Sequence, residues 1–169
     1  MDAMHLQNFT SRFLRFNHWA NQRQTSWLLS LDRSLLYQQT GSSFGTIDRT
    51  LQHLLAAQRY WYEIIVNEHI PSFDQPEKKN AVDEVIHELL LSSQQLIEGT
   101  SSFDEEQLMK RIKASDSTQS RYDYILHTVN HSSYHRGQIV TMSRALDSTS
   151  AIPVTDYDAY LWWIENESE

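Results

Sequence analysis

Apolar residues recur every three or four positions over four long segments of this chain, and glycine and proline rarely interrupt them. The sequence contains only 4 Gly and 3 Pro among 169 residues. Because side chains three and four positions apart lie on one face of a helix, this spacing is typical of amphipathic α-helices. The pattern therefore predicts an all-α protein whose core forms where these helical faces meet.

The predicted long helices cover residues 6–32, 46–70, 82–98 and 119–147. Thr46 is a suitable N-cap for the second helix, which should end before Pro71. Gly99 is expected to close the third helix. The pair Thr155 and Asp158 resembles a helix-start signal and predicts a short helix near the C-terminus.

Four long helices with short or modest connections predict an up-and-down four-helix bundle with a short extra C-terminal helix. The chain length, with no internal repeat, predicts a single domain over residues 1–169. The stretch LMKRIKAS, residues 108–115, leaves two options open. It forms either a short strand or the tail of a helix.

Charge and cysteine content limit the class of function. The net charge is −8 and the pI about 5.4, which disfavours nucleic acid and anionic membrane surfaces as partners. No cysteine is present, so disulfides and thiolate metal sites are excluded. The N-terminus does not resemble a signal peptide and no apolar run is long enough for a membrane span, which predicts a cytoplasmic protein.

Three histidines stand four residues apart in the fourth predicted helix, at His127, His131 and His135. Side chains at this spacing are neighbours on the helix surface, so two imidazoles can reach one metal ion. The zinc-protease helix motif has a glutamate after its first histidine, whereas Ser132 follows His131 here. A metal site would therefore need a third ligand from another helix.

His53 is the best candidate for that third ligand, because it lies within the second helix beside the apolar stripe. The other histidines considered are His5, His18, His69 and His87. Three neutral imidazoles would leave a coordination position for water or substrate, as in catalytic metal sites. The competing interpretation is that these histidines pack against polar neighbours in the core and bind no metal.

Three motifs, FNHWANQR, FGTIDRTLQHLLAAQRYW and HTVNHSSYHRGQI, occur in this order along the chain. Together they resemble the DinB-like family of bacterial four-helix-bundle proteins, named for damage-inducible members. The resemblance implies a divalent metal ion, zinc or nickel, held by His53, His131 and His135, and it implies a homodimer. His18 departs from the pattern, because relatives more often have arginine at this position.

Several residues next to the proposed ligands could support the site or the fold. His127 could be a fourth ligand, but we favour a supporting or core role because three ligands suffice. Arg136 could bind a substrate carboxylate, although a salt bridge to an acid on a neighbouring helix is the favoured interpretation. Gln138 could orient a ligand imidazole or cap a buried polar group. Gly137 is expected to let another helix approach closely.

Three functions remain open at this point. The first is a metal-dependent enzyme of the thiol-dependent transferase, isomerase or hydrolase type, in which the ion activates a water or a small-molecule thiol. The second is a non-catalytic metal-binding protein of a stress response. The third is a structural dimer that associates through exposed aromatic residues such as Trp162 and Trp163. The pattern assigns no catalytic residue and no residue that binds an organic cofactor.

Overall fold

The computed structural model describes residues 5–73, 81–147, 149 and 151–167. The described elements, in chain order, are α1 (Leu6–Ser30), a 3-10 helix (Arg33–Tyr37), α2 (Ile47–Asn67), α3 (Val82–Thr100), α4 (Glu105–Met109), β1 (Arg111–Ala114), β2 (Ser117–Ser120), α5 (Arg121–Leu146) and α6 (Tyr157–Asn166). The four long helices and the C-terminal helix confirm the predicted fold class. Among the described helices, none is both long and apolar enough to cross a membrane.

The long helices occupy the corners of a four-helix bundle, but consecutive helices are not always neighbours. Within the described residues, α1 packs mainly against α3 and α5, and α2 packs against the same two helices. The helices α1 and α2 therefore lie diagonally opposite each other. The connection between them contains the 3-10 helix, which the sequence pattern did not predict.

The core consists of two hydrophobic clusters stacked along the bundle. The first lies towards the α6 end and includes Leu14, Phe16, Ile65, Leu96, Ile125 and Val129; the second lies at the other end and includes Leu28, Leu51, Leu54, Leu89, Ile139 and Met142. Between them α1, α2 and α5 contribute the buried polar residues Asn17, Asn21, Gln58, Ser132 and Arg136. A polar layer therefore crosses the middle of the bundle.

Side-chain caps begin several helices as the sequence suggests. Thr46 accepts a hydrogen bond from the backbone N–H of Arg49, which confirms it as the N-cap of α2. The expectation for the last helix was wrong in detail. Asp156, rather than Thr155, is the N-cap of α6, and its carboxylate accepts from the backbone N–H of Ala159.

The two options for residues 108–115 are both partly realised. Residues 105–109 form α4, and the chain then turns into β1, which pairs antiparallel with β2. This two-stranded hairpin was not predicted. It also shortens the fourth predicted helix at its start, because Ser120 ends β2 and caps α5 through a capping box with Asp123.

Candidate metal centre

The helices α2 and α5 face each other and bring three predicted ligands together. The Nε2 atom of His131 lies 3.1 Å from Nε2 of His135 and 3.3 Å from Nε2 of His53. One nitrogen of each of the three side chains lies within 4.8 Å of the others. We call these residues the imidazole cluster. His135 is only 4% exposed, whereas the other two are half-buried.

These separations match those of nitrogens that share one ion. Two nitrogens at about 2.0–2.1 Å from a tetrahedral ion lie roughly 3.3–3.4 Å apart. The observed 3.1 and 3.3 Å are close to this spacing. Two of the three nitrogen pairs thus already have the spacing of ligands of one ion, and the third pair, between His53 and His135, lies within 4.8 Å.

The hydrogen bonding of His131 and His135 is limited by the number of protons on their rings. The carboxamide oxygen of Gln138 lies 2.7 Å from Nδ1 of His135, and this oxygen can only accept, so Nδ1 must carry the proton. In the neutral ring, Nε2 of His135 then carries a lone pair, which points at His131. His131 has a single Nε2 and can offer one proton at most, yet it contacts two neighbouring nitrogens. A divalent cation between the rings would instead be bound by Nε2 of each ring, with the ring proton on Nδ1.

The environment keeps these imidazoles neutral. Burial, followed by the mutual repulsion with His135, lowers the pKa of His53 to about 4. Burial and then the repulsion from His135, His53 and His127 lower the pKa of His131 to about 4. Burial also lowers the pKa of His135, while the hydrogen bond to Gln138 opposes that shift. Near neutral pH the three rings are therefore neutral imidazoles, which is the state that metal ions require.

Aromatic rings hold the cluster from two sides. Phe44, in the connection before α2, stacks on His53 with ring centroids 4.2 Å apart and lies 5.5 Å from the ring of His135. Phe73 approaches His53 edge-on at 6.2 Å. Sequence periodicity could not identify Phe44 or Phe73, because both lie outside the helices.

Two cavities have wall residues that contact the imidazole cluster, although none of its three histidines lines either cavity. The first, of about 490 Å³, lies between α2 and α3 and includes Gln52, Ala56 and Phe73 in its wall. The second, of about 640 Å³, lies between residues 40–43 and the second half of α5. We call this second cavity the α5 groove. Neighbours of the imidazole cluster, Tyr134 and Gln138, contribute to its wall.

The remaining histidines do not join the cluster. His127 is exposed, its ring stacks on His131 at 5.8 Å and contacts Trp61 at 4.8 Å, and it is not part of the group of close ligand atoms. A supporting role for His127 stays a prediction. His18 instead contacts the hydroxyl of Ser93 on α3 at 2.6 Å.

Arg136 points away from the cluster into the polar layer. The prediction that it forms a salt bridge was wrong, because its partners are neutral side chains. Its guanidinium donates to the side-chain oxygens of Asn17 at 2.7 Å, Asn21 at 2.8 Å and Ser133 at 2.8 Å, and it lies 5.6 Å from the ring of Phe16. Burial lowers the pKa of Arg136 to about 9, so the group remains cationic at neutral pH. It fixes α5 against α1.

The predictions for two helix glycines, Gly99 and Gly137, were wrong. Gly99 was expected to close α3, but it lies inside the helix, where a Cβ would meet side-chain atoms of Val66 at 3.0 Å and Tyr62 at 3.2 Å. Gly137 was expected to admit a neighbouring helix, but a Cβ there would meet no described atom within 4 Å. A side chain would therefore be crowded at residue 99 and would meet open space at residue 137.

Comparison with known proteins places the chain in a family. The model of the DinB family matches residues 4–168. The chain belongs to the DinB family. Protein DinB of Bacillus subtilis (strain 168) is 26% identical over 175 residues, covering 96% of this chain and 99% of that protein. The match confirms the resemblance drawn from the three sequence motifs.

A solved structure supports the DinB-like fold. A DinB-like protein from Bacillus cereus superposes with a TM-score of 0.68 at 15% identity, over 84% of this chain and 94% of that chain. At this identity the likeness concerns the fold alone. The three-histidine geometry of this DinB family member rests on its own side chains.

Proposed function

We propose that the imidazole cluster binds one divalent metal ion, zinc or nickel, through His53, His131 and His135. The observation that carries the proposal is the convergence of three Nε2 atoms, two pairs of which are 3.1 and 3.3 Å apart. Membership of the DinB family is compatible with this function. Imidazole suits both proposed ions.

We further propose that this metal centre is catalytic. When bound, such an ion would supply Lewis acidity and lower the pKa of a coordinated water or small-molecule thiol. The reactions that fit are those of a thiol-dependent transferase or isomerase, or a hydrolase. Gln138 would hold the His135 ring in the tautomer that leaves Nε2 available. Phe44 would exclude water from one side of the imidazole cluster.

Two observations favour an enzyme over a non-catalytic metal-binding protein. Among the described residues, no fourth side chain joins the three ligands, so a coordination position would remain for water or substrate. Two cavities of a size suited to small molecules also have a wall residue, Phe73 or Gln138, that contacts the imidazole cluster. A stress-response protein that only binds metal would need neither feature.

Metal content tests the first proposal directly. The wild-type protein, purified without an affinity tag, should contain close to one zinc or nickel per chain by mass spectrometry. His53→Ala should lose most of it, because two imidazoles hold an ion poorly. His87→Ala is the matched control, since His87 is an exposed histidine outside the imidazole cluster. No metal in the wild type after loading with zinc, nickel and manganese would refute the proposed site.

The homodimer expected from the resemblance is also proposed. Trp163 packs against Trp19 and Tyr160 within the chain, whereas Trp162 is 58% exposed and available for a contact with a second copy. Light scattering after size exclusion should give twice the chain mass, and Trp162→Glu should shift it towards the monomer. An unchanged dimer in the variant would exclude Trp162 from the interface, and a monomeric wild type would refute the dimer.

A further inference from the structure

The α5 groove has the dimensions and chemistry of a small-molecule site. Its volume of about 640 Å³ lies in the range of ligand pockets, which is roughly 300–1,000 Å³. Hydroxyl groups line it on both sides, from Thr40, Ser42 and Ser43 on one side and Tyr134 and Thr141 on the other. None of the described residues that line the groove is charged. The groove therefore offers an ionic ligand no partner of opposite charge.

The wall opposite α5 is a well-formed turn. Thr40 donates from its backbone N–H to the carbonyl of Gly45 at 2.7 Å, and its hydroxyl also donates to that carbonyl at 3.1 Å. The hydroxyls of Thr40 and Ser42 are 3.2 Å apart. The turn leads directly into Phe44, which stacks on His53. The same short segment therefore shapes the groove and covers the imidazole cluster.

Gln138 connects the groove to the imidazole cluster through one side chain. Its carboxamide oxygen accepts from Nδ1–H of His135 at 2.7 Å. Its carboxamide nitrogen makes no hydrogen bond to any described residue, although Gln138 lines the groove. The NH₂ group can therefore donate to a ligand while the oxygen holds the imidazole. A ligand in the groove would be linked to His135 by a two-step hydrogen-bond path.

Packing among the described residues does not explain why residue 137 is a glycine. Glycine weakens a helix interior relative to alanine, and here no described atom lies within 4 Å of a Cβ at this position. Gly137 lines the groove, one residue before Gln138. A side chain there would fill space above α5. The open floor of the groove is what this glycine provides.

We propose that the α5 groove binds a small uncharged ligand that carries hydroxyl or amide groups, with Gln138 as the positioning residue that connects it to His135. Gln138 contacts Nδ1 of His135, whereas the proposed ion would bind Nε2, so the ligand would influence the metal centre through Gln138 and His135, and to that extent the inference rests on the proposed function. Occupancy of the groove itself requires no metal.

N-acetylserinamide and N-acetylserine form a matched pair of probes. Both carry a hydroxyl and an acetamide group. They differ at one position, where N-acetylserinamide has a neutral carboxamide and N-acetylserine has a carboxylate. The full-length protein is titrated with each probe by NMR, with and without zinc, while the backbone amide of Gly137, the side-chain NH₂ of Gln138 and the imidazole signals of His135 are followed. The neutral probe should give saturable shifts at all three, and the anion should bind at least about tenfold more weakly, because its charge has no partner there.

Gly137→Leu fills the groove and should weaken the neutral probe by about tenfold or more, because the added side chain occupies the open floor. Asn130→Leu is the matched control: it adds the same side chain two turns earlier on α5, at an exposed position outside the groove lining. Binding to the control should equal that of the wild type. Metal content, measured separately on each protein, should be unaffected by both substitutions.

The outcomes separate the two proposals. Absence of saturable shifts at the groove, or equal affinity of the two probes, overturns the groove proposal whatever the metal content. Shifts in a protein that takes up no metal support the groove and refute the metal centre. A change of chain association in Gly137→Leu, but not in Asn130→Leu, would make the groove an interface between copies and would overturn the small-molecule assignment.

Discussion

The carboxamide oxygen of Gln138 lies one helical turn beyond His135 and accepts a hydrogen bond from its Nδ1–H over 2.7 Å. This contact fixes both the orientation of the imidazole and the nitrogen that remains free. Supporting contacts of this kind are worth about 10–100-fold in metal affinity in known sites. The proposed centre therefore depends on a residue that would never touch the ion.

We expect Gln138→Ala to weaken zinc binding by about 10–100-fold, because the His135 ring loses its partner. Competition with a chelator of known affinity measures this change. Gln138→Glu is the control, since it keeps an acceptor at the same reach and should retain most of the affinity. Equal affinities for wild type and Gln138→Ala would show that the hydrogen bond does not orient a ligand.

His127→Ala should retain the full metal content of the wild type. The His127 ring contacts Trp61 and His131 but lies outside the group of close ligand atoms. His131→Ala, one turn further along α5, should lose most of the metal. Mass spectrometry on both variants, prepared together, compares them. Loss of metal from His127→Ala would make this residue a fourth ligand.

The metal-free protein should lose stability as pH falls from about 6.5 towards 4. In the folded state the pKa of His53 and of His131 is lowered to about 4, whereas the ordinary value is 6.5. Between these values the unfolded chain binds protons that the folded chain does not, so acidification favours unfolding. Below about 4 both states are protonated and this contribution no longer changes.

Urea denaturation at a series of pH values measures the effect. Carboxylates also titrate in this range, so the double variant His53→Gln/His131→Gln serves as the reference. The wild type should show the steeper loss of unfolding free energy between pH 6.5 and 4.5. Parallel curves for the two proteins would mean that the imidazoles titrate normally in the folded state.

Gly137→Ala should stabilise the protein by roughly 0.5–1 kcal/mol, because alanine favours the helix and no described atom obstructs its Cβ. Gly99→Ala should gain less, because its Cβ would lie 3.0 Å from a methyl of Val66. Thermal and chemical unfolding compare the pair. A larger gain at Gly99 than at Gly137 would contradict the assigned roles.

Arg136→Met should destabilise the fold by about 2–4 kcal/mol, because it leaves the buried side-chain oxygens of Asn17 and Asn21 without their donor. Chemical denaturation gives the magnitude. The triple variant Arg136→Met/Asn17→Leu/Asn21→Leu should recover part of the loss, since it removes the unsatisfied acceptors as well. A neutral effect of Arg136→Met would show that the polar layer contributes nothing to stability.

Helical periodicity and the scarcity of breakers determined the long helices of this protein, because a buried helical face requires apolar residues at three-four spacing wherever the helix packs. The spacing of His131 and His135 likewise determined that both could face one point, since residues four apart are neighbours on a helix. Thr46 identified the start of α2 for a local reason, because its hydroxyl accepts from a backbone N–H three residues later.

Tertiary structure decided what local spacing cannot encode. The packing of α2 against α5 placed His53 beside the pair on α5, and the connection before α2 brought Phe44 onto the imidazole cluster. Which glycine allows close packing depended on which helix faces it: α2 lies against Gly99, and nothing described lies against Gly137. Arg136 donates hydrogen bonds to neutral side chains because α1, its neighbour in the bundle, has asparagines at the same level. Each outcome depends on contacts between residues far apart in sequence, so only the assembled bundle determined it.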